Sequence, residues 1–250
     1  MPNVFSQFAS VAGRRTVADK LTLFKRVIAK LEDIYDIRPF DAQSAQSLLE
    51  LWLLVVTIRP RTVFELGCGM RSSTIALALA AAEVPECTIC GVDIAPIDFP
   101  SFASQHFPDL RFGPVVDTAV EATAFEIPDH WPRPILMLYD AHDGGVPGKI
   151  ISRHAIAKWF PKLAGQTVAI HDCLVVSPDF VLPGERFAKA MHWSGRCIAG
   201  FAEVQHLMEW MNRERIDFWR PDDELAQLGL TGRDSCLIAL TLPAETGPRH

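Results

Sequence analysis

Apolar residues recur at helical spacing over 16–35, where Val17, Leu21, Phe24, Val27, Ile28, Leu31 and Ile34 share one side and charged residues fall between them. This spacing predicts an amphipathic helix. Pro39 breaks the pattern, Asp41 is placed to cap a second helix, and the apolar run that follows stops at Arg59-Pro60. From Thr62 onward short apolar runs at 62–66, 87–93, 110–116, 135–140 and 167–172 alternate with helical stretches at 72–83, 101–106, 118–126 and 149–163. Strands that are apolar on both sides and separated by helices belong to a parallel sheet covered on both faces. Right-handed crossovers then give a doubly wound α/β sheet. Past a Pro- and Gly-bearing loop at 174–184, helical stretches at 185–192 and 202–212 lead to two last strand candidates, 215–220 and 235–242. The connector between them has no long helical pattern and suits an antiparallel return.

Composition narrows the class. The 250 residues are 49% hydrophobic and 22% charged, enough apolar material for a sizeable core and too much for a disordered chain. Twenty-four Lys and Arg against thirty Asp and Glu give a net charge of -6, so no overall basic field attracts a phosphate backbone and nucleic acid is not an expected partner. The six cysteines lie mostly in apolar stretches and not at a disulfide-framework spacing, which reads as a reduced, intracellular chain. Cys87-x-x-Cys90 has no second pair to complete a tetrahedral site and reads as two buried strand cysteines. The N-terminus lacks the order of a signal peptide, and the longest apolar stretch, 48–58, is interrupted by Glu50 and too short for a membrane span. A soluble cytoplasmic protein without a membrane partner is expected.

In an open parallel sheet, ligands bind beyond the carboxyl ends of the strands where the strand order reverses, so the polar residues at those ends carry the chemistry. The first strand runs into Gly67-Cys68-Gly69 and then an alanine-rich helix; the glycines let the backbone turn sharply and approach a ligand, and the amides at the helix start are expected to face an anion or polar group. Ser72 occupies the place of the third glycine of a dinucleotide fingerprint, which weakens a pyrophosphate site. Ser72, Ser73 or Thr74 is alternatively a helix cap. Asp93 ends the second strand, where a carboxylate either accepts ribose hydroxyls or caps the loop.

These residues carry a resemblance. VFELGCGMRSSTIALA at 63–78, CGVDI at 90–94, MLYDAHDG at 137–144 and LAGQTVAIHDC at 163–173 are similar to the motifs of class I S-adenosylmethionine-dependent methyltransferases, most of all the small-molecule O-methyltransferase-like group. The resemblance covers roughly 60–173 and implies a Rossmann-like, mostly parallel seven-stranded sheet with an antiparallel C-terminal strand, preceded by N-terminal helices. The chain then divides into a helical segment, 1–59, that caps the site or makes a dimer contact, and a methyltransferase domain, 60–250. By the resemblance, Glu65, Gly67, Cys68 and Gly69 flank the methionine part of S-adenosylmethionine, with Ser73 beside them. Asp93 holds the ribose and Asp117 lies where the family often contacts adenine. Arg71 and Gln166 depart from the family, which often has glycine at both positions.

Methyl transfer to a hydroxyl needs in-line positioning and removal of one proton. The candidates are Asp140, His142, Asp143, His171 and Asp172. Asp140 and Asp172 end strands expected to be neighbours, so their carboxylates could share Mg²⁺. Alternatively His171 or His142 acts as a general base without a metal. The expected activity is methylation of a small-molecule hydroxyl, on a sugar or secondary metabolite, by a monomer or homodimer. The competing expectations are a nicotinamide-dependent oxidoreductase and a non-catalytic scaffold that binds the same cofactor.

Overall fold

The computed structural model of the chain describes residues 4–36, 45–95, 98–141, 150–171, 173–175, 192–193, 197–199, 202–219 and 237–244. Two helices open the chain, α1 (Val4–Tyr35) and α2 (Ala45–Ile58). Then β1 (Thr62–Leu66), α3 (Ser72–Ala81), β2 (Thr88–Asp93), α4 (Phe99–His106), β3 (Val115–Ala119) and β4 (Ile135–Tyr139) follow in alternation. α5 (Ile150–His154) continues through a π-helical turn, Ala155–Trp159, into α6 (Phe160–Lys162) and leads to β5 (Thr167–Ile170). Three short strands, β6 (Cys173–Val175), β7 (His192–Trp193) and β8 (Cys197–Ala199), form a small sheet of their own. α7 (Ala202–Arg213), β9 (Phe218–Trp219) and β10 (Ile238–Thr241) end the fold.

The main sheet has the order β3-β2-β1-β4-β5-β10-β9. The first five strands are parallel, and β10 runs antiparallel between β5 and β9. The outermost strand, β9, is only two residues long, so six strands form the body of the sheet. Strand order reverses at β1, with β2 on one side and β4 on the other, and the chain leaves these two neighbours toward opposite faces.

Burial follows from that topology. All five residues of β1 and all five of β4 are buried, because helices cover both faces. Val63 packs with α1, α2, α3 and α4 on one face, and Phe64 and Leu66 pack with α5, α6 and α7 on the other. The two N-terminal helices thus share a core with α3. Lys20 pairs with Glu83 and lies 4.7 Å over the Trp52 ring, and the Trp52 indole N–H donates to the same Glu83 at 3.2 Å. One carboxylate at the end of α3 therefore ties α1 and α2 in place.

Several elements differ from the pattern-based expectation. The third strand lies at Val115–Ala119 and not at 110–116, since Gly113 is pressed against Ala81 and Pro114 has no N–H to give to a ladder. The stretch expected as a helix at 118–126 finishes that strand and then makes a single 3₁₀ turn, Ala122–Ala124. The first helix begins at Val4, well before 16, and its side chains up to Arg15 lie outside the described set. The expected helix at 185–192 falls mostly outside the described residues, and His192 begins a strand. Cys68, Cys87 and Cys90 are free and buried, and burial pushes the Cys87 thiol up to about 11. No helix among the described residues is long and apolar enough to cross a membrane.

A Cβ at Gly113 would sit 2.6 Å from the Ala81 Cβ and 2.9 Å from backbone atoms of the same helix end. Gly113→Ala should therefore destabilise the protein by about 2 kcal/mol through overpacking, read as a lower urea midpoint at unchanged slope.

Candidate functional site

The carboxyl ends of β1, β2 and β4 are bound to one another through backbone. Gly67 has φ 87°, its N–H donates to Val92 O at 2.8 Å, and the Asp140 N–H donates to Leu66 O at 2.9 Å. A Cβ on Gly67 would lie 2.2 Å from the Asp140 carbonyl oxygen, so only glycine permits this approach. Gly69, with φ 40°, faces open space: nothing lies within 4 Å of a Cβ built there.

Asp93 organises the turn between them. Its Oδ2 accepts the N–H of Cys68 at 2.8 Å and of Gly69 at 3.0 Å, and its Oδ1 accepts the Ala95 N–H at 3.2 Å. The Arg71 N–H closes the turn on Cys68 O at 2.7 Å. The amides of 67, 68, 69 and 71 are thus spent inside the chain, on Val92 O, Asp93 and Cys68 O. The negative charge they answer belongs to Asp93.

The start of α3 differs from expectation. Its N-cap residue is Arg71, in the left-handed region with φ 65°, and no side chain caps the helix. The three hydroxyls are buried instead, and the Thr74 Oγ1 donates to Glu65 Oε2 at 2.7 Å. Glu65 is fully enclosed. Burial pushes its carboxyl up to about 7, against the opposing pull of the Ser73 and Thr74 hydroxyls, and nearby Asp140 adds to the rise. Its Oε1 is buried without a hydrogen bond. Burial also raises the Cys68 thiol, with the Glu65 and Asp93 charges adding to the effect, so this cysteine is inert packing under the loop.

Above these groups opens a cleft of about 210 Å³. Its walls are Leu66, Val92, Ile94, Val120 and Ile151, its floor includes Gly67, Gly69 and Ala141, and Asp93 and Asp140 are its two charged residues. No Lys or Arg lines it among the described residues. Ile94 is 82% exposed at the rim, an apolar side chain held in solvent at the mouth of a polar-floored cleft. Sequence reasoning passed over Ile94 and Val120 because it weighed only polar residues. Their positions, directly after the β2 carboxylate and directly after β3, were the available signal.

Beside the cleft, Asp140 Oδ1 and His171 Nδ1 are 2.9 Å apart, and both side chains are largely buried. Parallel pairing of β4 with β5 brings these two strand ends together, and the His171 N–H donates to Tyr139 O at 3.0 Å. Asp117, by contrast, is set apart from the cleft lining. Its Oδ2 accepts the Phe99 N–H at 2.6 Å at the start of α4, and its Oδ1 is buried without a hydrogen bond. His142, Asp143 and Asp172 lie outside the described residues.

Among the described residues no group of three or more His, Cys, Asp and Glu is arranged to hold a metal. Of the two carboxylates expected to share Mg²⁺, Asp140 is described and pairs with His171, and Asp172 lies outside the described residues.

Glu65 makes a pH-dependent contribution to stability. Between about 4.5 and about 7 the folded protein retains a proton on this carboxyl that the unfolded chain has released, so stability falls as pH rises through that window. The full loss is about 3 kcal/mol at about 1.4 kcal/mol per pH unit. Glu65→Gln removes the slope: in urea titrations the variant should gain on the parent steadily from pH 4.5 to pH 7. Parallel curves would show that the carboxyl titrates normally.

No family model matches the chain, and no curated protein matches it in sequence. Solved structures do. Cofactor-bound Rv0187 from MTB is 16% identical, with a TM-score of 0.52 over 89% of this chain and 90% of that one. A Klebsiella pneumoniae protein, proposed to be an O-methyltransferase, is 15% identical, with a TM-score of 0.51 over 88% of this chain and 90% of that one. At such identities the likeness is one of fold, a Rossmann-like, mostly parallel α/β sheet with an antiparallel strand near its edge.

Proposed function

We propose that the protein is an S-adenosylmethionine-dependent methyltransferase that methylates a hydroxyl of a small molecule such as a sugar or secondary metabolite. The observation that carries this reading is the electrostatics of the cleft: two carboxylates, apolar walls, no basic residue, and a glycine turn whose amides are spent on Asp93. A dinucleotide brings a pyrophosphate that cations stabilise, and no Lys or Arg lines this cleft among the described residues. A nucleoside bearing a sulfonium brings a positive charge and suits it. The similarity in fold to a protein proposed to be an O-methyltransferase supports the same reading.

The residues fit such a ligand. An ionised carboxylate offers about four acceptor sites, and three amides take three of the sites on Asp93, the longest being Ala95 at 3.2 Å. One ribose hydroxyl has a vacant site, and a second displaces the weak Ala95 contact. Ile94 and Val120 offer apolar surface to the flat face of a base, and the open space over Gly69 admits the cofactor where side-chain bulk would block it.

When bound, the sulfonium supplies an electrophilic methyl carbon. The work of the chain is then to hold an acceptor hydroxyl in line and take its proton. His171 is the proposed base: the Asp140 carboxylate, 2.9 Å from Nδ1, orients the imidazole and favours its protonated form once it takes the proton. Asp140 also lines the cleft, where its charge would favour a bound sulfonium, and it would stabilise the imidazolium that forms on His171.

Calorimetry on the purified protein tests the cofactor, with S-adenosylmethionine binding and NADH failing to bind; the reverse result would replace the proposal with the oxidoreductase reading. Asp93→Ala should weaken S-adenosylmethionine at least tenfold, about 1.4 kcal/mol or more, since it removes the ribose acceptor and the turn's anchor together. His171→Ala should cut kcat by about 10²–10⁴ with cofactor affinity preserved, and chelator should leave the parent activity unchanged. Cofactor binding without turnover on any hydroxyl acceptor would instead indicate a scaffold.

A further inference from the structure

Arg71 stands where the resembled family often has glycine, and the proposed chemistry gives it no task. Its backbone is left-handed, with φ 65°, a conformation that disfavours every residue with a Cβ. A residue kept there at such a disadvantage is held by its side chain. The guanidinium carbon lies 4.4 Å from the centre of the Phe102 ring on α4, and Tyr35, at the end of α1, stacks on that same ring with centroids 6.3 Å apart.

The charge of Arg71 also acts on two carboxylates, Asp98 and Asp117. These two anchor the first turn of α4: Asp98 accepts the Ser101 N–H at 3.3 Å as N-cap, and Asp117 accepts the Phe99 N–H at 2.6 Å. Burial raises the Asp117 carboxyl, against the Phe99 amide and the charge of Arg71. Arg71 therefore connects the glycine turn to the first turn of α4.

We infer that Arg71 is a positioning residue that locks the glycine turn to α4 through Phe102, and so holds Gly67 and Gly69 in place in the cleft lining. This rests on the proposed cofactor reading. The lock acts on cofactor binding and leaves the methyl-transfer step alone, since Asp140 and His171 stand on other strands.

The test compares the full chain with Arg71→Gly, Arg71→Lys, Phe102→Leu and the Gly/Leu double variant. The readouts are calorimetry of S-adenosylmethionine, and kcat and KM once an acceptor is found. Glycine is at home at φ 65°, so Arg71→Gly should fold, with a melting temperature near that of the parent. Arg71→Gly and Phe102→Leu should each weaken binding about tenfold, with kcat within about twofold. The double variant should be no worse than either single one, because both remove one contact. Arg71→Lys, which keeps the charge and loses the planar stack, should fall between parent and glycine. If the parent binds and Arg71→Gly binds as tightly, or if the losses fall on kcat, the lock is wrong and the cofactor reading stands. If the parent itself does not bind S-adenosylmethionine, both fall.

Discussion

One carboxylate holds the ligand-facing end of this protein together. Asp93 gathers the N–H groups of Cys68 and Gly69 on one oxygen and that of Ala95 on the other, so the ends of β1 and β2 and the turn toward α3 form one rigid unit. Hydrogen bonds to a charged acceptor are the stronger kind, each worth about 1.5–3 kcal/mol. The glycines, the left-handed Arg71 and the close approach of Gly67 to Asp140 all follow from making that turn tight enough for its amides to reach one carboxylate.

The same arrangement decides what the cleft can hold. The Cys68 and Gly69 amides are given to Asp93, and the second charged residue of the lining is Asp140. Beneath them Glu65 would add a third negative charge, yet full burial favours its protonated form over much of the acid range. The cleft is therefore anionic without accumulating every carboxylate that lies near it. A cation-bearing nucleoside fits that balance, and the Asp140–His171 pair then stands at the side where an acceptor must lose its proton.

Much of this was legible in the sequence. The continuous apolar runs of β1 and β4 and the alanine-rich α3 announced a buried parallel sheet, and two of the strand-end carboxylates, Asp93 and Asp140, line the cleft. Adjacency of the β4 and β5 ends, which brings Asp140 to His171, followed from the alternation of elements. What escaped was set by contacts distant in the chain. The third strand is displaced because Gly113 must clear Ala81, the hydroxyls after Arg71 turn inward because Glu65 is buried beneath them, and Asp117 is taken by an amide of α4. The role of Ile94 escaped because an apolar residue in solvent looks unremarkable until the cleft beside it is known.

The measurement that bears most directly on this account is a crystal structure with S-adenosylhomocysteine bound. The account predicts the ribose on Asp93 with the Cys68 and Gly69 amides still in place, the base between Ile94 and Val120, and the sulfur on the side of Asp140 and His171. A ligand seated elsewhere, or one that pulls Asp93 away from the glycine turn, would contradict it.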